Sequence, residues 1–286
     1  MTTKLEKCCA INKAVRSLVI ICAAIACTAS FAYTQDIDPQ LPDSPSHTKE
    51  AAGEKPDSPA NRAITWRTVS KDFLQDQKAI WWTFPGQLGK GQHWLPTLAV
   101  VGGTAVLIAT DSHSQPYFRT HERNLDDIND VFDSPITAAE VIGLPASLMI
   151  TGYVRHDSYQ VGSALLAGEA YADSAVVDLA IKAITRRKRP SDIPPSGPYT
   201  DTFFSGGKSP FKGSSFPSGH AAGAFAVATV IATRYHTHRW VPWAVYGFAT
   251  AVGFSRVTTN SHFPSDVFLG AALGYSITRF QVLRPR

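Results

Sequence analysis

Residues 213–233 read GSSFPSGHAAGAFAVATVIAT and contain no Asp, Glu, Lys or Arg. The run is rich in Ala, Val and Gly and lacks the period-two alternation of a half-buried strand, so it predicts a buried helix near residues 218–234. Ser218 is suited to cap the start of that helix, and Gly219 would allow an anion to approach its free N–H groups. This stretch therefore indicates a helical core and a possible anion site at one helix end.

Further apolar runs on both sides of this segment extend the same pattern. Residues 91–110, 141–154, 240–255 and 267–278 are also uncharged. Together they predict an all-α fold, a bundle of about six principal helices near residues 94–110, 135–154, 160–188, 218–234, 240–254 and 264–280. Before them, an apolar stripe that includes Val69 and Phe73 predicts a helix ending near Pro85-Gly86.

Composition excludes several classes of protein. Of the 286 residues, 44% are hydrophobic and 17% are charged, below the roughly 25% charge typical of soluble domains. A wholly disordered or fibrous chain is excluded. The net charge is +4, of which residues 1–32 contribute +3, so we expect no nucleic-acid partner.

The N-terminus has the pattern of an export signal. Basic residues precede an apolar run at 17–28, which is followed by the small residues Ser30 and Ala32, and this order predicts a signal peptide over residues 1–32. An uncleaved anchor is the alternative. Pro-rich residues 33–62 predict a disordered tether, and residues 63–286 form the predicted domain.

All four cysteines, Cys8, Cys9, Cys22 and Cys27, lie within the predicted signal. A disulfide scaffold, a thiolate zinc site and a cysteine nucleophile are therefore excluded from the remainder of the chain. A cysteine-free domain suits an oxidising compartment. We expect an exported protein on the periplasmic side of a bacterial-type cell envelope.

The relation of the domain to the bilayer has two interpretations. Two apolar runs are long enough to span, and basic loops between the predicted helices fit six spans with those loops inside. An exported N-terminus would reverse that topology, so we favour an exported domain that lies on the membrane or partly in it. The candidate interfacial anchors are tryptophans, with ordinary core packing as the alternative: Trp81, Trp82, Trp94, Trp240 and Trp243.

Residues 182–190 form the first chemical motif, Lys-Ala-Ile-Thr-Arg-Arg-Lys-Arg-Pro. On a helix, Lys182, Arg186 and Arg189 would share one face and could converge on one anion, with Pro190 ending the helix. Taken alone, the motif could equally be a solvated run of charges.

Two later motifs each add a histidine. Phe216-Pro-Ser-Gly-His220 places His220 in the first turn of the central helix, where it could donate a proton to a leaving oxygen. In residues 255–266, His262 and Asp266 are four apart at a helix start, so the carboxylate could hold one imidazole nitrogen. Arg256 adds a bidentate phosphate donor.

In this order, Lys-x6-Arg-Pro, Pro-Ser-Gly-His and Ser-Arg-x5-His-x3-Asp resemble the signature of the type 2 phosphatidic acid phosphatase (PAP2) family over about residues 160–280. The resemblance implies an all-α bundle shared with bacterial acid phosphatases and vanadium haloperoxidases. It also implies hydrolysis of phosphate esters through a phosphohistidine. His262 would be the nucleophile, Asp266 its support, and His220 the general acid and later the base.

The resemblance further implies that five residues bind the phosphate oxygens: Lys182, Arg189, Ser218, Gly219 and Arg256. No cofactor is expected, vanadate should bind as an inhibitor, and we expect no carboxylate cluster that would hold Mg²⁺. The expected substrate is a phosphorylated lipid or another phosphate ester at the membrane. The alternatives are a vanadium-dependent haloperoxidase and a non-catalytic envelope protein with a relic site. The connection 191–216, which includes Phe203 and Phe204, is either a lid or a packed loop.

Overall fold

The structure is a computed structural model that describes residues 58–121, 129, 134–194, 196–206 and 214–284. The predicted signal peptide and residues 33–57 of the predicted tether lie outside these ranges. The described chain begins at Ser58, where a short 3-10 turn, Pro59–Asn61, leads into the bundle. Ala60 is buried, and the Arg62 guanidinium pairs with Glu169 at 3.0 Å. Residues 58–62, within the range predicted as a tether, therefore contact the domain.

All regular secondary structure in the described residues is helical, which confirms the predicted all-α class. The predicted six principal helices correspond to α3–α8. The helices are α1 (Val69–Lys78), α2 (Phe84–Gly89), α3 (Trp94–His121), α4 (Ser134–Arg155), α5 (Ser158–Thr185), α6 (Gly219–Arg234), α7 (Val241–Thr258) and α8 (Pro264–Ile277).

Helix α6 lies at the centre and packs against α5, α7 and α8. Nearly every residue of α6 is buried, including the small side chains of Ala222 and Ala226. Small side chains let neighbouring helix backbones approach closely, because little volume separates the two axes. The uncharged stretch 213–233 is therefore the core element that its sequence predicts.

Two glycines on α8 set its distance from α6. Gly270 and Gly274, one turn apart, face the main-chain oxygens of Ser218 and Ala222 on α6. A Cβ atom at either position would collide with the facing carbonyl, so only glycine permits this separation. The contact brings the start of α8 beside the start of α6, which are the positions of the third and second motifs.

Helix α3 has the reverse of the usual amphipathic pattern. Its buried side chains are polar, namely Thr104, Asp111 and Gln115, and they face the bundle. Its exposed side chains include Leu95 and Leu98, which are 79% and 60% exposed. Among the described residues, α3 is the one helix long and apolar enough to cross a bilayer, by length and composition.

The five tryptophans singled out in the sequence are all exposed. Trp82 and Trp243 are the most exposed, at 74% and 84%. Ordinary core packing, the alternative explanation for these residues, is therefore wrong. Together with the apolar face of α3, they give the domain a large apolar surface of the kind that soluble monomers rarely present.

The first predicted helix does not end at Pro85-Gly86. A π-helical turn, Ala79–Thr83, joins α1 to α2, and the helical path continues to Gly89. Pro85 is tolerated because it lies in the first turn of α2, where a missing N–H costs no helical hydrogen bond. The prediction of a helix end at Pro85 is wrong for this reason.

The contact that Gly270 and Gly274 allow between α6 and α8 predicts how substitutions change the free energy of unfolding. Gly274→Ala should destabilise the fold by at least about 1–3 kcal/mol, the usual cost of overpacking, since the added methyl meets a backbone carbonyl that cannot rotate away. Gly168→Ala, on an exposed face of α5 with open space around it, should be neutral or stabilising by up to about 1 kcal/mol. Thermal unfolding of the two variants would measure the difference. Equal melting temperatures would contradict the packing account.

Candidate active site

The second and third motifs meet where α6 and α8 begin. Ser218 caps α6, with its Oγ 3.5 Å from the Ala221 N–H. The Ser218 N–H donates to the main-chain oxygen of Asp266 at 2.9 Å. Ser218 and Asp266 are fully buried, and His220 is half-buried in the first turn of α6. The structure therefore brings together the histidine motifs that the sequence keeps more than forty residues apart.

His262 is buried, and one of its ring nitrogens has a fixed partner. Nδ1 lies 2.7 Å from the main-chain oxygen of Ser215. A carbonyl oxygen can only accept, so Nδ1 carries the proton and Nε2 keeps its lone pair. The His262 main-chain N–H also donates to the main-chain oxygen of Arg256 at 3.0 Å, which fixes the backbone at His262. The arrangement gives an oriented imidazole whose Nε2 is chemically available.

The sequence motif predicts that the Asp266 carboxylate holds one nitrogen of this imidazole, but the carboxylate lies beyond hydrogen-bond distance from the ring. Its Oδ2 is 3.7 Å from Nδ1 of His262, which is within ion-pair range but too long for a hydrogen bond. The same oxygen accepts from the Ser215 hydroxyl and from the Phe263 N–H at 2.8 Å. Asp266 therefore positions the loop that holds His262, and Ser215 makes the direct contact with the ring.

Burial sets the protonation state of both groups. It lowers the pKa of His262 below its ordinary value, against the raising effect of Asp266, and the nearby charges of Lys182 and Arg189 lower it further. Burial alone would raise the pKa of Asp266, but His262, Arg187 and Ser215 hold it below its ordinary value. At neutral pH the site thus holds a neutral imidazole beside an ionised carboxylate.

Lys182 and Arg189 lie close enough to His262 to affect its pKa, and Arg256 contacts it through its main-chain oxygen. Lys182 lies in the last turn of α5, and its Nζ would be 3.1 Å from a Cβ atom placed on Gly219, at the start of α6. Arg256, in the last turn of α7, is buried, with Nε and Nη2 each 3.2 Å from the Ser255 hydroxyl. Nε of Arg189 is buried and has no hydrogen-bond partner in the described part of the chain. Such a group is suited to an incoming anion.

Helix α5 ends earlier than the sequence predicts. It stops at Thr185, and Arg186 adopts a left-handed conformation with φ of 43°. Lys182, Arg186 and Arg189 therefore do not share a helix face, and Pro190 does not end the helix but begins a 3-10 turn, Pro190–Asp192. The reason is tertiary: the Lys188 N–H donates to the Thr202 oxygen at 2.9 Å, so this segment pairs with the following loop.

The connection after this turn is packed in part. Phe216 is buried, and its ring lies 5.3 Å from that of Phe203 in an edge-to-face contact. Phe204 is 74% exposed. Residues 207–213 lie outside the described ranges, so the lid interpretation stays a prediction for that part of the connection.

One cluster of carboxylates could hold a metal ion, and it contains none of the motif residues. Oxygens of Asp76, Glu169 and Asp173 lie within 4.8 Å of one another. Arg62 pairs with Glu169 at 3.0 Å, and Gln77 donates to Asp173 at 2.8 Å. The sequence alone does not identify this group, because folding joins acids from α1 and α5 that are almost a hundred residues apart; the expectation that no metal ion is used stays a prediction.

Comparison with known proteins places the motif region in a family. The family model described as the PAP2 superfamily matches residues 163–284. Over these residues the chain is similar to the PAP2 superfamily. The match covers helices α6–α8 and most of α5, together with every motif residue described above.

Two curated relatives match shorter segments within the chain. A lipid A 1-phosphatase of Porphyromonas gingivalis is 46% identical over 61 residues, which is 21% of this chain and 14% of that protein. The undecaprenyl-diphosphatase BcrC of Bacillus subtilis is 34% identical over 76 residues, which is 25% of this chain and 38% of that protein. The chain therefore spans less than half of either relative.

A solved structure is also similar, at a low level. It is described as the crystal structure of the first transmembrane PAP2 type phosphatidylglycerolphosphate phosphatase from Bacillus subtilis. The alignment covers 76% of this chain and 92% of that one, with 20% sequence identity and a TM-score of 0.39. This TM-score is too low to carry an argument about the site.

The PAP2 region contains one central residue that sequence reasoning missed. The Arg187 guanidinium is 1% exposed and bridges two carboxylates, at 2.7 Å to Asp111 on α3 and 2.6 Å to Asp266 on α8. It also lies over the rings of Phe263 and Phe203, at 4.0 and 4.5 Å from their centroids. In the sequence, Arg187 is one of several adjacent basic residues, and nothing local distinguishes it from Arg186 or Lys188.

Arg187 links α3 to the loop that carries His262. Ser265 donates to Asp111 at 2.5 Å and receives a hydrogen bond from Arg187 at 2.7 Å. The main-chain oxygen of Arg187 accepts from the Ser215 N–H at 2.8 Å. A continuous chain of contacts therefore runs from Asp111 through Arg187, Asp266 and Ser215 to His262.

The buried position of Arg187 predicts a large effect of its removal. Arg187→Met should reduce the free energy of unfolding by about 3–5 kcal/mol, because two buried carboxylates would lose their shared counter-ion. Arg186→Met, next in the chain but half-buried with a 3.4 Å contact to the Gly206 oxygen, should cost less than about 1 kcal/mol. Denaturant unfolding of both variants would test this, and similar losses would contradict the role given to Arg187.

Proposed function

We propose that the protein is a phosphatase that hydrolyses phosphate esters, chiefly phosphorylated lipids, through a phosphohistidine at His262. The observation that carries the proposal is the state of this ring. Its Nδ1 proton is held by Ser215 at 2.7 Å, so Nε2 keeps its lone pair, and Lys182 and Arg189 lie close enough to lower the pKa of the ring. A neutral nucleophile surrounded by cations is the arrangement that attack on a phosphoryl group requires.

In the first step, Nε2 of His262 would form a bond to phosphorus while the bond from phosphorus to the leaving oxygen breaks. His220 would give its proton to that oxygen. Lys182, Arg189 and Arg256 would hold the equatorial oxygens, together with the Ser218 hydroxyl and the Gly219 N–H at the start of α6. These groups supply positive charge where the transition state carries negative charge.

In the second step, water would attack the phosphohistidine. His220, now neutral, would accept a proton from the water, and the bond between phosphorus and Nε2 would break to release phosphate. The carboxylate of Asp266, 3.7 Å from Nδ1, would stabilise the positive charge that the ring carries while it is phosphorylated. Because side chains supply the positive charge, we propose that the reaction needs no metal ion and that vanadate inhibits it.

The surface of the domain supports a lipid substrate. Helix α3 turns Asp111 and Gln115 into the bundle and leaves apolar side chains such as Leu95 exposed, as expected for a helix in contact with lipid rather than water. The curated relatives, a lipid A 1-phosphatase and an undecaprenyl-diphosphatase, act on lipid phosphates by their names. We therefore propose that the domain works at a membrane. Export to the periplasmic side remains a proposal based on residues 1–32.

Phosphate release from a panel of lipid and soluble phosphate esters, in the presence of EDTA, tests the proposed function. Wild-type protein should release phosphate, and His262→Ala should reduce turnover to background because no other group can accept the phosphoryl group. His236→Ala, at an exposed histidine in a turn, is the matched control and should retain activity. A ³²P label trapped on the wild-type enzyme should map to His262.

Two outcomes would contradict this proposal. Undiminished activity of His262→Ala would exclude the phosphohistidine. Activity that is lost with EDTA and restored by Mg²⁺ would exclude the metal-free mechanism. Halide oxidation that depends on added vanadate would instead favour the haloperoxidase alternative.

The role of His220 predicts a dependence on the leaving group. His220→Ala should lower kcat/KM by about 10²–10⁴-fold for alkyl phosphates, whose leaving oxygen is strongly basic and needs a proton. The loss should be much smaller for a nitrophenyl phosphate, because that oxygen leaves without protonation. The comparison uses kcat/KM, which reports the phosphorylation of His262, since His220 also serves in the second step. Equal losses for both substrates would show that His220 is not the general acid.

A further inference from the structure

Asp178, one helical turn before Lys182 on α5, is a buried carboxylate that the mechanism above does not use. Its Oδ2 lies 2.6 Å from Nζ of Lys182, and the side chain is 6% exposed. Its Oδ1 is buried and has no hydrogen-bond partner in the described part of the chain. Lys182, a candidate phosphate ligand, is therefore already paired with an anion of the protein itself.

The carboxylate of Asp178 lies against the first residue of α6. A Cβ atom placed on Gly219 would be 3.0 Å from Oδ2 of Asp178 and 3.1 Å from Nζ of Lys182. Gly219 is the first residue of α6, and the N-terminal N–H groups of a helix attract negative charge. Asp178 is thus held between the lysine and the helix end, where the phosphoryl oxygens are proposed to bind.

Two titratable groups act on Asp178. Lys182 is on its own helix, and His262 lies between α7 and α8. Arg189 acts on His262 in turn, and His220 is the residue after Gly219 on α6. Burial raises the pKa of the Asp178 carboxyl, against the lowering effects of Lys182 and His262. A doubly charged anion entering this site would lie beside an ionised carboxylate and would be repelled by it.

We propose that Asp178 is a specificity-determining residue that makes the site take up one proton together with a doubly charged phosphoryl group. This inference rests on the proposed function. The proton comes from solvent and goes to the Asp178 carboxyl, which then donates a hydrogen bond to an oxygen of the anion. Lys182, released from its ion pair, binds the anion with its full charge. When the anion leaves, the carboxyl returns the proton to solvent and pairs with Lys182 again.

The proposal has a direct consequence for pH dependence. Where one proton is taken up with the ligand, affinity falls by up to about tenfold for each unit of rising pH. Phosphate monoesters lose their second proton at about pH 6. A phosphate ester would therefore exchange protons itself, and these could not be separated from the proton taken up by the protein. Sulfate avoids this difficulty, because it is a tetrahedral dianion throughout the range in which proteins are studied.

The experiment measures sulfate binding to the full chain by calorimetry between about pH 5 and 8, in buffers of different ionisation enthalpy, which report proton uptake. Asp178→Asn should bind sulfate at least about tenfold more tightly than wild type at the upper end of this range. It should also take up about one proton fewer per sulfate. Because Asp178 and His262 influence each other's pKa, the comparison is repeated in a His262→Ala background, in which that ring takes up no proton.

Asp173→Asn is the matched control. Asp173 is buried on the same helix and accepts from Gln77 at 2.8 Å, so its variant loses a buried charge outside the phosphate site. Its sulfate affinity and proton uptake should follow those of wild type. Thermal unfolding would show whether the variants are folded. If Asp178→Asn does not fold, Asp178→Ala, whose side chain needs less space, would be used to repeat the test.

Equal affinity of wild type and Asp178→Asn at every pH would overturn the proposal. The same proton uptake in both proteins would also overturn it, since any gain in affinity would then reflect simple repulsion. Sulfate binding requires no turnover, so the result is independent of the phosphatase assay. If the chain releases no phosphate from any ester but Asp178→Asn shows the expected change, the proposed function fails and the proton-linked anion site remains.

Discussion

The close approach of α6 and α8 is the constraint on which the site depends. Gly270 and Gly274 allow the α8 backbone to touch main-chain oxygens of α6, and the Ser218 N–H bonds directly to the Asp266 oxygen at 2.9 Å. The second motif begins α6, and the third ends in the first turn of α8. A shift of one helix along the other would therefore move His220 relative to His262, and the backbone contact excludes such a shift.

Charge inside the bundle is arranged around a single guanidinium. Arg187 contacts carboxylates from α3 and α8 and supports the loop that fixes the His262 ring. A fully buried ion pair contributes little net stability, because desolvation offsets most of the attraction. Its effect here is geometric. The two carboxylates and the loop that holds His262 can contact Arg187 at the same time only in one arrangement. Arg189, whose Nε has no hydrogen-bond partner in the described part of the chain, is not drawn into this network.

Much of this structure could be predicted from sequence, because the deciding signals are local. Uncharged runs predict most of the helices α3–α8, and the motifs select residues that folding places at the ends of α5 and α7 and the starts of α6 and α8. Features set by tertiary contacts could not be predicted. The end of α5 at Thr185 depends on pairing with a later loop, and the partner of the His262 ring is a main-chain oxygen that any residue type would supply. Arg187 is one of four nearly consecutive basic residues, and only the position of Asp111 distinguishes it.

Helix α3 connects the exposed apolar surface to the His262 loop in a way that bears on how the protein is assembled. Its apolar side chains are exposed, while Asp111 on its opposite face completes the counter-ion set of Arg187. Rotation of α3 about its own axis would bury leucines and expose this carboxylate, so the two environments together fix its orientation. The catalytic loop is complete only after α3 has docked against the bundle. A chain whose α3 has not yet docked would carry every motif residue and still lack the contacts that fix the His262 loop, so the proposed activity would be confined to the fully assembled protein.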